Sequence, residues 1–372
     1  MTNSSSPRFL ITRLSHIGDC IQTVPMLSAL RHAFPGAFIA WIVEPPVATL
    51  LEGHAALDEL IVIPRTWYSS PSRVWSVRNE LRRWRFDYTL DPQGLSKSSL
   101  LAWLSGAKNR IGFKVGQGRE LSPWLNNCLV QRTTENVVDR YLELLQPLNI
   151  HNPKAVFDLP IHETARTWAA NFVRQKQLAP TFYVVNAGAS WSSRMWELDR
   201  FSAVARHLSR RWSLQGVVVW AGAEERRLAA EIVAGSDGGL CLAPETSLQQ
   251  LGALLEMARM YVGTDTGPLH LAVAVGTKCV SLHGTTRGSK SGPYGEGHVC
   301  VQSYYQQGSS RVRRAADNSA MRAIGIEDVC HACDRVLDRH VPTRDTRSVQ
   351  NPCPSESPRL RRRTVFTSPS WG

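Results

Sequence analysis

The chain has 372 residues, room for two domains of ordinary size, with 43% apolar and 20% charged residues, which is the balance of a soluble globular protein. No apolar run approaches the roughly eighteen residues of a membrane span, and Arg13 cuts short the apolar stretch FLIT before it could serve as a secretory signal, so a cytoplasmic protein is expected. A formal net charge of +12 favours an anionic partner such as nucleic acid, an acidic membrane surface or a phosphorylated substrate, and with no zinc finger, basic heptad or RNP-type aromatic motif in the chain, nucleic acid is not the expected one.

Short β-rich runs alternate with helix-period segments along the chain. In the first half, FLIT (9–12), FIAWIV (38–43), LIVIP (60–64) and YTLD (88–91) read as strands. Between them, TVPMLSALRHAF and SSLLAWLSGA carry apolar residues at spacings of three and four, the mark of one-sided helices. The second half repeats the scheme with FYVVNAG (182–188), GVVVWAG (216–222), MYVG (260–263) and CVSLHG (279–284), separated by ELDRFSAVARHLSRRW, EERRLAAEIVAG and SLQQLGALLEMA. Strand, helix, strand in series, with strands apolar on both faces, implies an α/β fold of parallel sheets covered by helices.

Two such halves imply two doubly wound domains, expected at residues 1–170 and 171–338. Residues 339–372 turn to Pro, Ser, Thr and Arg, including RLRRR, and read as a disordered basic tail. Eight cysteines, at positions 20, 128, 241, 279, 300, 330, 333 and 353, are too scattered in a chain of this size for a disulfide framework. CHAC (330–333) has the spacing of a redox or half-zinc site, but no second CxxC answers it and its setting reads as a helix, so buried helix cysteines are the plainer expectation.

The second-half strands end in NAGAS, WAGAEE, VGTDTG and LHGTT. Ligands of open α/β sheets bind at the carboxyl ends of the strands, and four small-residue turns in one domain suit a phosphate-bearing ligand. The densest of them is VGTDTGPLHLAVAVG (262–276). Pro268 fits the first turn of an apolar helix, Asp265 or Thr266 can cap it, and His270 falls within the same turn. Such a helix start is an anion site by virtue of its unpaired N–H groups and dipole. Capping explains one polar residue there, but not Thr264, Asp265, Thr266, Gly267 and His270 together. In SHIGDCIQTVP, Gly18 and Asp19 fall at the turn after the first strand, where an aspartate read alone is a helix cap.

The 262–276 stretch resembles the signature of glycosyltransferase family 9, the heptosyltransferases of lipopolysaccharide core assembly. RLSHIGDCIQTVPMLSALRHAFP, DPQGLSKSSLLAWLSGAKNRIGF, NAGASWSSRMWELDRF and LHGTTRGSKSGPYG resemble further family segments in the expected order, over about residues 8–338. The resemblance implies a GT-B fold, two Rossmann-like domains facing each other across a cleft, the first taking a lipid-linked acceptor and the second a nucleotide sugar. It implies that Asp19 is the catalytic base of an inverting transfer of heptose, or a similar sugar, from an ADP-type donor to an anionic glycolipid.

No Asp-x-Asp pair sits at a suitable turn, so no metal or other cofactor is expected. Arg194, Thr266, Gly267 and the loop Gly284, Thr285, Thr286 then meet the charge of the leaving diphosphate. Arg194 stands where the family usually has lysine in a Lys-x-Trp-Pro setting, and arginine keeps the charge with a different geometry. Glu224 and Glu225 are candidates for ribose hydroxyls, or simply acids favoured at a helix start. GFKVGQGRE resembles the family's basic acceptor loop and makes Lys114 and Arg119 candidates, with Ser15, His16, Gly18, Gln93 and Lys97 as further acceptor-side residues. Peripheral contact with the inner membrane surface is expected from the positive charge. A sugar-nucleotide epimerase of similar fold and an inactive sugar-nucleotide-binding protein are the alternatives.

Overall fold

The structure is a computed structural model that describes residues 6–116, 120–189, 191–338 and the backbone of 361–364. The chain divides into two compact units, Met1–Pro160 with Glu356–Gly372, and Ile161–Ser355. The division falls ten residues before the expected position at 170, because the helix Glu163–Gln175 belongs to the second unit, where it packs on the helix Leu248–Met257.

The first unit is built on β1 (Arg8–Thr12), β2 (Phe38–Val43), β3 (Glu59–Val62), β4 (Tyr88–Leu90), β5 (Asn109–Phe113) and β6 (Cys128–Val130). These strands pair in parallel in the order β3-β2-β1-β4-β5-β6. The second unit has β7 (Phe182–Asn186), β8 (Gln215–Val218), β9 (Leu240–Leu242), β10 (Met260–Thr264), β11 (Lys278–Leu282) and β12 (Val299–Val301), all parallel, in the order β12-β11-β10-β7-β8-β9. Counted within its own unit each sheet runs 3-2-1-4-5-6, the doubly wound Rossmann-like order, whose direction reverses between the first and fourth strands. That reversal lies between β1 and β4 in one unit and between β7 and β10 in the other.

Burial explains the apolar runs. Strands at the centre of a parallel sheet are covered on both faces, and Leu10, Ile11, Ile39, Ala40, Trp41, Ile42, Val184, Tyr261 and Val280 are wholly inaccessible to solvent. In the first unit Leu10, Ala40, Ile42 and Ile61 form one cluster with Trp67, Val77, Leu81, Leu101 and Leu104 from the helices Pro71–Arg83 and Ser96–Leu104 and the loop before them. In the second, Val185, Val262 and Val280 meet Trp196, Phe201, Val204, Leu208 and the closing helix Ile326–Asp338. Cys330 and Cys333 are free and lie in that core, the CHAC stretch being one buried face of the closing helix. Among the described residues, no cluster of three His, Cys, Asp or Glu is placed to hold a metal.

The basic tail differs from a fully structureless segment. Arg361–Thr364 form β13, which adds in parallel to the outer edge of β3, with Arg362 opposite Leu60. Open edges offer a row of unpaired backbone groups, so even a cationic segment can add there.

Sheet packing at the second reversal point depends on a glycine. A Cβ on Gly263 would stand 2.6 Å from the carbonyl oxygen of Asn186 on the neighbouring strand. Gly263→Ala is therefore expected to lower stability by about 1–3 kcal/mol, read as a lower urea midpoint at unchanged slope. A midpoint equal to wild type would show that the two strands can part without cost.

Candidate active site

The second unit gathers its polar groups where β7 and β10 end side by side. Asn186, the last residue of β7, donates from Nδ2 to Thr266 Oγ1 at 3.0 Å and accepts from the Gly188 amide at 3.3 Å. Thr264 Oγ1 donates to Gly188 O at 2.9 Å. These bonds tie the two strand ends together across the reversal point. They also turn the Thr266 hydroxyl away from the helix that it begins: Gly267–Ala274 has Thr266 as its N-cap, with Pro in the first turn and no side-chain cap. A helix start left uncapped by its own side chain keeps its dipole and amides for a ligand anion.

Asp265 sits beside this start, only 6% exposed. Its Oδ1 is 3.3 Å from His270 Nε2, its Oδ2 accepts from Ser291 Oγ at 2.8 Å, and its backbone carbonyl accepts from Arg194 Nη1 at 3.0 Å. Burial by itself would raise the carboxyl pKa. The hydrogen bond from His270 and the fields of His283, His270 and Arg194 outweigh it and hold the group far below the usual carboxylate range. With both oxygens already engaged, Asp265 orients His270 and Ser291. His283, buried one residue past β11, lies 3.2 Å by Nδ1 from Thr286 Oγ1 and 3.0 Å by Nε2 from Ser281 Oγ, and its pKa is lowered, chiefly by burial.

The loop after β11 is packed tightly. A Cβ on Gly284 would meet Met321 Sδ at 2.9 Å. Thr285 is wholly buried, and its hydroxyl has no hydrogen-bond partner among the described residues. Its carbonyl accepts from Arg313 Nη1 at 2.5 Å. Glu225 accepts from the Ala221 amide at 2.8 Å at the start of the helix Gly222–Ala234, and packs where a side chain on Gly188 would otherwise go. Glu224, by contrast, pairs with Arg227 at 2.8 Å on the exposed face of that helix, and the hydrogen bond from Arg227 lowers its pKa.

Sequence reasoning named Arg194 but missed three further cations here. The Arg194 and Arg314 guanidinium carbons lie 4.0 and 4.9 Å from the centroid of the Trp191 ring, and those of Arg287 and Arg313 lie 4.6 and 5.9 Å from that of Tyr305. Ser193 Oγ donates to Arg313 O at 2.7 Å, fastening the short helix Ser310–Ala315 to the Arg194 turn. Aromatic faces and backbone bonds thus hold several guanidiniums near the strand ends. The signal in the sequence was RVRR (311–314) next to YY (304–305), which carries no family motif.

In the first unit the corresponding place is the end of β1. Gln93 Oε1 accepts from the Leu14 amide at 2.8 Å, tying the β4 loop to β1. Lys97 Nζ donates to Ser15 Oγ at 3.2 Å and to Glu44 Oε1 at 3.0 Å. His16 has φ 64°, a left-handed value rare outside glycine, immediately before the helix Ile17–Ala33. That turn presents Gly18 and Asp19, and the Asp19 carboxylate, 39% exposed, is ion-paired with the buried Arg13. Burial opposes the Arg13 charge, yet Asp19 and its neighbours raise its pKa above the ordinary value.

Arg13 and Glu44 are neighbours of the candidate residues Asp19 and Lys97 that the motifs did not mark. Asp91, wholly buried, is another: it accepts from the Gly94 amide at 2.9 Å and from Ser122 Oγ and Asn126 Nδ2 at 3.1 Å each, which shapes the loop that carries Gln93 and leads into the helix of Lys97. Burial raises the Asp91 pKa against these bonds. Lys114 is exposed just after β5, its amide bonded to Val130 O at 3.0 Å. Arg119 lies outside the described residues.

A family model described as glycosyltransferase family 9 (heptosyltransferase) matches residues 74–320. The chain is 28% identical over 310 residues to lipopolysaccharide heptosyltransferase 1 of Pseudomonas aeruginosa, a match that covers 78% of this chain and 82% of the relative. The solved structure of a family 9 glycosyl transferase from Veillonella parvula superposes with a TM-score of 0.80 at 22% identity, covering 90% of this chain and 98% of that one. That of the E. coli heptosyltransferase WaaC with ADP-2-deoxy-2-fluoro heptose does so at 0.69 and 21%, covering 88% and 99%. The two Rossmann-like sheets and these likenesses define a glycosyltransferase of the GT-B fold. The chain belongs to glycosyltransferase family 9, the heptosyltransferase family.

The depressed Asp265 pKa makes a pH test. A carboxyl whose folded pKa lies below its ordinary value of 3.8 contributes stability that is complete above that pH and is lost as pH falls below it. Asp265→Asn is expected to be less stable than wild type near neutrality and to lose less on acidification below about pH 4. Thermal melts from neutral to acidic pH check this. Parallel curves for the two proteins would mean that the carboxylate is not held ionised by its neighbours.

Proposed function

We propose that the protein is an inverting, metal-independent heptosyltransferase. It moves a heptose, or a similar sugar, from an ADP-sugar to an anionic glycolipid of the lipopolysaccharide-core type at the inner membrane surface. The observation that carries this reading is the uncapped helix start at Thr266 and Gly267, set beside the hydrogen-bonded Asp265 and His270 and next to Arg194. It is a fixed positive environment of the kind a departing diphosphate requires. WaaC, a relative in fold, is seen with ADP-2-deoxy-2-fluoro heptose, and the Pseudomonas relative is named for lipopolysaccharide heptose transfer. The family assignment sets the epimerase alternative aside.

In this scheme Asp19 takes the proton of the acceptor hydroxyl as its oxygen attacks the anomeric carbon, and displacement from the far side inverts that centre. The Arg13 ion pair fixes the direction of the carboxylate. Arg194, Arg313 and the Gly267 amide at the helix start receive the negative charge of the nucleoside diphosphate as the glycosidic bond breaks, a charge that a metal ion would otherwise meet. His270 and Ser291, held by Asp265, line the donor end. Thr285 and Thr286 flank the phosphates, and Glu225 is the better placed of the two acids for a ribose. Ser15, Gln93 and Lys97 hold the acceptor with Lys114 and Arg119.

Asp19→Asn is expected to lower kcat by about 10²–10⁴-fold, while the thermal shift given by ADP-heptose stays as in wild type. Normal turnover by this variant would remove Asp19 as the base. Arg194→Ala is expected to weaken the ADP thermal shift and turnover together, with Arg194→Lys recovering most of both. Excess EDTA is expected to leave the rate unchanged, and a strict requirement for magnesium would overturn the metal-free scheme. Donor binding without turnover over a range of acceptors would instead identify a binding protein, which the arginine in place of the family's lysine makes worth testing.

A further inference from the structure

Three neighbouring helices of the first unit carry an uncovered aromatic surface that the proposed chemistry does not use. Pro71–Arg83 and Ser96–Leu104 press on the same face of the first sheet, since Val77, Leu81, Leu101 and Leu104 share one core cluster with Leu10, Ile42 and Ile61. Away from that core they present Trp75 and Trp103, 59% and 51% exposed. The short helix Ser122–Leu125 packs against Ser96–Leu104 and adds Trp124, 79% exposed, with Leu121 beside it at 60%. Leu121 is fastened there by a hydrogen bond from its amide to Ser96 Oγ at 3.2 Å.

Single exposed apolar residues need no explanation, but three tryptophans more than half exposed on adjacent helices do. The stretch of chain that carries them is one-sided in charge. Residues 65–125 hold eleven Lys and Arg against four Asp and Glu, over half of the net charge of the chain in about a sixth of its length. The Arg78 guanidinium carbon lies 4.7 Å from the centroid of the Trp75 ring, so cation and indole are offered together. Indole favours the boundary between hydrocarbon and water because one end is apolar and the other wet, and clustered Lys and Arg are drawn to anionic headgroups.

We propose that this face docks on the surface of an anionic lipid bilayer, with Trp75, Trp103 and Trp124 entering the headgroup zone and Arg78 meeting lipid phosphates. It gives a place to the membrane-borne acceptor of the proposed function and rests on that reading for its purpose only, since docking is measured with no sugar present. Failure of either one leaves the other standing.

The test is co-sedimentation of the full chain with phosphatidylcholine vesicles and with vesicles that also contain phosphatidylglycerol, at low and high salt. Wild type is expected to bind the acidic vesicles and to be released by salt. The triple variant Trp75→Ser, Trp103→Ser, Trp124→Ser is expected to lose about tenfold or more in partitioning, and Arg78→Glu at least about fivefold. Unchanged melting temperature and ADP thermal shift show that the variants remain folded. Wild type that ignores acidic vesicles or binds neutral ones equally well, or a triple variant that sediments like wild type, would overturn the proposal. So would a wild-type dimer that the triple variant dissolves in light scattering, which would make this face a contact between two copies of the chain.

Discussion

A carboxylate taken out of water is unstable unless the protein replaces what water supplied. Asp265 is that case. Around it the second unit gathers three different elements: a ring nitrogen from the helix that follows it, a serine from the short helix Gly288–Ser291 after β11, and an arginine from the turn after β7, bonded to its backbone carbonyl. Together they hold Asp265 beside the helix start where, in the proposed scheme, the donor diphosphate rests. Removing the carboxylate would leave His270 and Ser291 without a shared partner, while the Arg194 bond to the Asp265 backbone carbonyl would remain. The chemistry proposed for this unit therefore depends on a single buried charge being fully answered.

The same architectural device serves both units. In each, the strand order reverses between the first and fourth strands, and a side-chain amide joins the two strand ends there: Gln93 to the Leu14 amide in the first unit, Asn186 to Thr266 in the second. The crevice that a reversal opens is where an α/β sheet binds ligands. The units then diverge in what they place in it. The first presents a half-exposed Asp19 held by a buried arginine, with a lysine shared by Ser15 and Glu44. The second buries its acid and surrounds the strand ends with guanidiniums stacked on Trp191 and Tyr305.

Much of this was legible in the chain, for reasons tied to particular residues. FIAWIV and FYVVN are continuous apolar runs, and only a strand covered on both faces needs them, so β2 and β7 could be found directly. Asp265 and His270 stood out because polar residues at a strand–helix junction contrast with apolar surroundings. NRIGF, CLV, LCL and VCV were missed as strands: they are short, partly exposed and without period, and it is pairing with a neighbouring strand that makes them strands at all. Arg13 was visible only as an interruption of an apolar run, although it is the partner of Asp19. Glu44, Asp91, Ser291 and Arg313 were silent because each acts on residues distant in sequence.

The sequence by itself determined the repeating strand–helix pattern, the two-part organisation, the family, and the loops that would carry polar groups. These follow from local periodicity and from residues adjacent in the chain, which survive without knowledge of folding. Only the tertiary structure decided which of those groups meet: that Asp265 is saturated by His270 and Ser291, that Glu225 and not Glu224 turns toward Gly188, that a segment near residue 313 supplies cations, and that three tryptophans remain outside the core. Hydrogen bonds, ion pairs and burial depend on distances of a few ångströms between residues far apart in the chain, and those distances exist only after the sheets have formed.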